Sequence, residues 1–375
     1  MIHPTPTHGT HAGERIIDPY SAELPEDYQS IIKDFGLEPF SMEMFPQPNR
    51  AMRRKVVFAG RDMGRIAEAI KLKKPFYVLS GIMPTNARIH LGTKLVIENI
   101  KYFQEHGGHA FVLIADLEAA AARGVTLEEA KERALSFHVP AYLALGLDPA
   151  KTTFYFQSEN KDVVHLAYEF AQKVTLNEFR AIYGSADPAR IFSALTQVGD
   201  ILYPQLTLKM PGIIPVGIDQ DPHIRLARDV VARTKAKRGF IPPSSIYHEF
   251  TQALDGSIKM SKSKPESCIE LPEDIASVTK KLKNAKTGGR TTVEEQRKLG
   301  GEADKCVVYS LYKQHLMEND DDLKQRYKDC VTGQIMCGEC KQDCVRRMTS
   351  FMDDFAKKTE AAKGRVKDLK FITFH

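Results

Sequence analysis

Between residues 76 and 275, short apolar runs alternate with stretches whose apolar residues recur at helical spacing, and no other feature narrows the fold as far. The β-type runs are Phe76–Ser80, Phe111–Ala115, Thr153–Phe156 and Ile213–Ile218, and the helical patterns occupy 94–106, 126–146 and 222–234. Strand and helix in turn call for crossover connections, so the expectation is α/β: a parallel, doubly wound, Rossmann-like catalytic domain over 76–275. Ligands of such sheets bind beyond the carboxyl ends of the strands, where the winding reverses. Residues 159–204 interrupt the alternation with helical sequence and read as an insertion. An N-terminal extension (1–75) carries a helix candidate at Asp27–Phe35, and its Pro-, His- and Thr-rich residues 1–14 read as disordered. After about residue 276 the β signal stops. Val345, Met348, Met352 and Phe355 repeat at helical spacing, so 276–375 is expected to be an all-α domain built on such core stripes.

Composition excludes several classes. With 375 residues, 42% hydrophobic and 27% charged, the chain has room for two domains and an ordinary core. No apolar run approaches the roughly 18 residues of a membrane span, and the polar N-terminus is unlike a signal peptide, so the expectation is a cytoplasmic protein without a membrane partner. A net charge of +5 permits nucleic-acid binding without requiring it. The basic candidates are Arg53, Arg54, Lys55, Lys235, Lys237, Arg238, Lys280, Lys281 and Lys283.

Two segments carry chemistry. Lys259-Met260-Ser261-Lys262-Ser263 sits between turns at Asp255-Gly256 and Lys264-Pro265. Two lysines three apart, with hydroxyls between them, suit a loop that closes over a triphosphate and steadies charge growing on a leaving pyrophosphate. Upstream, Pro84–Thr93 follows a β run and precedes a helical pattern, the geometry that brings phosphate to a helix N-terminus. There Gly92 allows close approach of a base or ribose, and His90 offers a neutral donor. Gln197 and Asp200 lie three apart and share one helix face.

Together the lysine loop and Pro84–Thr93 resemble the paired nucleotide motifs of class I aminoacyl-tRNA synthetases. Gly217–His223, with Arg225 and Arg228-Asp229, is similar to the adenosine-binding segment of tryptophanyl-tRNA synthetases. Asn284–Arg290, with Glu294–Arg297 and Gly300-Gly301, is similar to the start of their C-terminal helical domain. The likeness runs from about residue 15 to the end and is to the archaeal branch. It implies ATP-dependent attachment of tryptophan to tRNA(Trp) through tryptophanyl-adenylate, with release of AMP and pyrophosphate and with Mg²⁺ on the phosphates. It also implies a homodimer joined through 159–204 and anticodon binding by 276–375. Under it, Lys259, Ser261, Lys262, Ser263 and His90 are catalytic; Gly92, Thr93, Gly217, Asp219 and Gln220 bind ATP; Gln197, Asp200, Glu118 and Gln220 bind tryptophan, with Asp200 facing the indole N–H. Tyrosyl relatives share the Gln197…Asp200 pair, whereas Gly288-Gly289-Arg290 and Asp219-Gln220-Asp221-Pro222 favour tryptophan. The chain departs from the pattern in Thr93, where a histidine is usual, and in Leu79 and Leu113, where eukaryotic relatives place a tyrosine and a glutamine against indole. The alanine run Ala119–Ala122 also leaves the pocket edge small-walled.

Cys306, Cys330, Cys337 and Cys340, with 23, 6 and 2 residues between them, have the tight Cys-x-x-Cys element of metal sites. Four thiolates suit zinc or an iron–sulfur cluster, and spacing does not separate the two. The resemblance favours a 4Fe-4S cluster. Cys344 is either a spare thiol or a ligand in place of Cys306.

Overall fold

The computed structural model describes residues 28–372, so the reading of residues 1–14 lies outside the described residues. Its strands are β1 (Glu38–Pro39), β2 (Val57–Arg61), β3 (Phe76–Ile82), β4 (Ile89–His90), β5 (Gly108–Ile114), β6 (Thr152–Phe156), β7 (Gly212–Gly217), β8 (Ser244–His248), β9 (Glu270–Leu271) and β10 (Phe371–Ile372). Eight of them form one sheet in the order β1-β2-β8-β7-β3-β5-β6-β10, and β4 pairs with β9. The centre, β8-β7-β3-β5-β6, is parallel throughout. The chain winds one way through β3, β5 and β6 and the other way through β7 and β8, so the winding reverses between β3 and β7.

Period-two alternation sends side chains to opposite faces. Val78, Ile82, Val112 and Ile114 join a core shared with the C-terminal helices. Tyr77, Leu79, Leu113 and Tyr155 join a second core with the helices Lys161–Ala171, Leu176–Tyr183 and Pro188–Leu202. Each such buried apolar side chain contributes roughly 1.5–3 kcal/mol before conformational entropy is counted. The helix Cys337–Lys363 buries Cys344, Met348, Met352 and Phe355, which places Cys344 in the packed stripe.

The sheet extends past the expected span. β8 escaped the sequence reading because Ser244, Ser245 and His248 make it polar, although all five residues are buried. β2 joins antiparallel to β8 from the N-terminal extension. β10 returns the C-terminal segment alongside β6, so β structure does recur after residue 276.

The N-terminal basic cluster has a structural use. Buried Arg50 donates to both Glu98 oxygens at 2.7 and 2.9 Å and to the His315 carbonyl at 3.2 Å. Arg53 and Arg54 each donate to Asp320 at 2.7 Å, clamping the extension to the C-terminal helices. Arg53 and Arg54, read as candidate RNA contacts, are therefore occupied within the chain. Lys237 and Arg238 likewise pair with Glu169, at 3.1 and 2.5 Å. Among the described residues, no helix is long and apolar enough to cross a membrane.

Candidate active site

A cleft of about 360 Å³ opens at the carboxyl ends of β3, β5, β7 and β8. It is lined by His90, Gly92, Thr93, Glu118, Gln197, Gly217, Asp219, Gln220 and Lys259, which come from five separate stretches of sequence. Leu79, Leu113, Ile201 and Ile214 supply an apolar wall.

His90 is the N-cap of helix Leu91–Glu105. Its Nδ1 accepts from the Gly92 N–H at 3.0 Å, which makes Nε2 the protonated nitrogen. Burial, then the charges of Lys262 and Lys259, lower the imidazole pKa to about 4, so His90 is a neutral donor. A Cβ at Gly92 would lie 2.8 Å from His90 Cε1, so this glycine is what lets the ring fold over the helix end.

On the opposite side of the cleft Lys259 Nζ donates to Asp219 Oδ2 at 2.6 Å and stands 5.2 Å above the Phe250 ring. Gly217 has no room for a side chain: a Cβ there would meet Asp219 Oδ1 at 2.6 Å and Phe250 Cε1 at 2.7 Å. Lys262 does not line the cleft. It reaches across the rim to Asn86 Oδ1 at 2.5 Å and to the Arg88 carbonyl, tying the lysine loop to the Pro84–Thr93 segment. Ser261 and Ser263 sit beside it with their hydroxyls 2.9 Å apart.

At the tryptophan end expected from sequence, Glu118 and Gln197 line the cleft and meet each other, Gln197 Nε2 donating to Glu118 Oε2 at 2.6 Å. Asp200 is fully buried and does not line the cleft; its oxygens accept from Tyr155 Oη at 2.9 Å and Gln157 Nε2 at 2.6 Å. The expected contact from Asp200 to an indole N–H is therefore not prepared in this arrangement. Sequence reasoning also missed His248, Phe250 and Thr251, which line the cleft from and just after the polar strand β8.

The cysteines gather but do not converge. Burial, then the neighbouring Cys306, Cys340 and Cys337, push the Cys330 thiol up to about 11, which puts the four in one neighbourhood. The Cys330 and Cys337 sulfurs lie against Gly301 and Gly289, where a Cβ would come within 3.0 and 2.7 Å of them. Arg326 donates to Cys340 Sγ at 3.6 Å. Among the described residues, however, no three or more His, Cys, Asp or Glu side chains are placed to hold a metal ion. The four-thiolate zinc or iron–sulfur site expected from spacing is thus not assembled among the described side chains.

A parallel sheet with a histidine-capped helix and a lysine loop meeting over its switch point defines a class I nucleotide-dependent synthetase. The family model described as tRNA synthetases class I (W and Y) matches residues 71–353, and the chain belongs to this family. It is 41% identical to the tryptophan–tRNA ligase of Methanocaldococcus jannaschii, across 92% of this chain and 96% of that one. The tryptophanyl-tRNA synthetase structure from Aeropyrum pernix superposes with a TM-score of 0.88 at 38% identity, covering 96% of this chain and all of that chain. A tryptophanyl-tRNA synthetase from Encephalitozoon cuniculi, solved bound to tryptophan, gives a TM-score of 0.80 at 25% identity, covering 92% of this chain and 98% of that one.

Proposed function

We propose that the chain attaches tryptophan to its tRNA in two steps, activation by ATP followed by transfer to the terminal ribose. The observation that carries this reading is the cleft in which His90, Gly217, Asp219 and Lys259 meet Glu118 and Gln197 beside an apolar wall. In the first step the tryptophan carboxylate attacks the α-phosphate and pyrophosphate leaves. Such in-line transfer depends on positioning and charge stabilisation. His90 Nε2 and the start of helix Leu91–Glu105 face the phosphates, Lys259 and Lys262 steady the departing pyrophosphate, and Ser261 and Ser263 add donors. Asp219 accepts from the ribose and the Gly217 backbone admits the adenine. Glu118, Gln197 and Gln220 receive the α-ammonium, and Leu79 and Leu113 pack on the indole. Mg²⁺ supplies charge neutralisation on the phosphates; the cleft carboxylates Asp219 and Glu118 are both engaged by protein donors, so phosphate and water oxygens are its fitting ligands.

The same reading assigns anticodon binding to the helices after residue 276 and dimerisation to 159–204, where exposed Tyr168, Leu176 and Phe192 support a partner surface. For the cysteine quartet, spacing and shared neighbourhood support a 4Fe-4S cluster, while the present placement of the sulfurs counts against it. Iron and acid-labile sulfide assays on anaerobically purified protein decide between a loaded cluster and free thiols. Charging of a tRNA(Trp) transcript with labelled tryptophan tests the overall function. Transfer to that transcript and not to tRNA(Tyr) is expected, and the reverse selectivity would overturn the assignment.

A further inference from the structure

Helix Asp116–Arg123, β6 with the turn after it, and helix Pro188–Leu202 bring six side chains into one chain of hydrogen bonds. Glu118 accepts from Gln157 Nε2 at 3.0 Å, Ser193 Oγ at 2.8 Å and Gln197 Nε2 at 2.6 Å. The same Gln157 nitrogen donates to Asp200 Oδ2 at 2.6 Å, and Asp200 Oδ1 meets Tyr155 Oη at 2.9 Å. Gln157 and Asp200 are both 0% exposed and neither lines the cleft, whereas Glu118 and Gln197 do.

We propose that Gln157 is a positioning residue for tryptophan: its amide bridges two buried carboxyl groups, aiming Glu118 into the cleft, with Asp200 as the anchor behind it instead of the indole acceptor. The inference rests on the tryptophan reading of the cleft. Turned over, the amide would set Oε1 against the Glu118 oxygen that Nε2 now meets at 3.0 Å. Holding it as it stands leaves Oε1 buried without a hydrogen-bond partner, and that sacrifice marks the bridge as what fixes the side chain. Two carboxyl groups joined by one amide, in a buried site, do not both ionise. The titratable groups that act on Asp200 include Glu118, Asp116 and Tyr155. Burial, then the charges of Glu118 and Asp116, raise the Asp200 carboxyl well above its usual range, outweighing the opposing bonds from Gln157 and Tyr155. Burial thus favours the neutral form of Asp200, with Tyr155 Oη donating to its Oδ1. Burial raises the Glu118 carboxyl as well, outweighing the lowering bonds from Gln157, Gln197 and Ser193.

The chain contains no tryptophan, so a change in the indole fluorescence of added tryptophan on binding is read without any indole signal from the protein. Titrations of the full-length protein and of Gln157→Ala, Asp200→Asn and Asp200→Ala, each with a thermal melt, test the proposal. Q157A and D200A are expected to weaken tryptophan about 10-fold or more while the KM for ATP stays within about 2-fold. D200N offers oxygen to Gln157 and NH₂ to Tyr155, copies the neutral acid, and is expected to stay within about 3-fold of the parent. If Q157A does not fold, Gln157→Asn, with its amide one methylene short, carries the same expectation. Unchanged affinity in a folded Q157A overturns the proposal. So does a D200N as weak as D200A whose deficit vanishes for an analogue with sulfur in place of the indole N–H, since Asp200 would then hold that N–H. A parent protein that binds no tryptophan would instead sink the functional reading itself.

Discussion

Lys259 Nζ and Asp219 Oδ2 stand 2.6 Å apart, so the groups assigned to the phosphates and the ribose of ATP are bonded to each other. Seating the nucleotide therefore exchanges this ion pair for two ligand contacts. Asp219→Ala removes a ribose acceptor and frees the lysine. The KM for ATP is expected to rise about 10-fold or more, with the KM for tryptophan little changed, as read by pyrophosphate exchange under varied substrate.

Lys262 holds the loop to the first motif through Asn86 and the Arg88 carbonyl. Lys262→Ala is expected to lower exchange by about 10²-fold, as for removal of a single transition-state donor, while tryptophan affinity by fluorescence stays near the parent value. Asn86→Ala, which touches only the tether, should fall between the two.

Gly92 makes a sharper test of geometry. Alanine suits a helix interior better than glycine by roughly 0.5–1 kcal/mol, so Gly92→Ala has no intrinsic reason to unfold the chain. Its Cβ would, however, crowd His90 at 2.8 Å. A melting temperature at or near the parent value with exchange reduced about 10-fold or more is expected, since a displaced donor loses its transition-state contact.

Buried imidazoles, His90, His138, His223, His248 and His315 among them, set an acid limit. Burial lowers His90 and His138 to about 4, with nearby positive charges adding to it, and lowers His223 to about 3. In the unfolded chain histidine titrates near 6.5. Between these values the unfolded state binds more protons, so stability is complete above about pH 6.5 and is lost as pH falls through the window toward 4. Melting temperature should drop across that window. His138→Gln keeps a donor for the Asn86 carbonyl that His138 Nε2 contacts at 2.7 Å, and should flatten the drop. The exchange profile should show no ionisation of His90 near pH 6.5.

The parallel sheet was legible because β3, β5, β6 and β7 are continuous apolar runs, and the two nucleotide motifs were legible because their residue types suit phosphate at fixed spacing. β8 was not, because a strand buried beside a polar cleft carries serines and a histidine that mimic a loop. Asp200 was placed on the right helix with Gln197, but periodicity does not say that Tyr155 and Gln157, from another strand and turn, close over its oxygens. Arg53 and Arg54 looked like RNA contacts because their partner Asp320 lies far along the chain. In the cysteine quartet, spacing conveyed proximity, while among the described residues the side chains do not assemble a metal-holding group.

Amino-acid-dependent ATP–pyrophosphate exchange, run on anaerobically purified protein with each of the common amino acids, tests the central claim most directly. Exchange with tryptophan alone is the predicted result. Exchange with tyrosine in its place would keep the fold and the lysine-loop chemistry but contradict the substrate assignment, and no exchange with any amino acid would contradict the activation step itself.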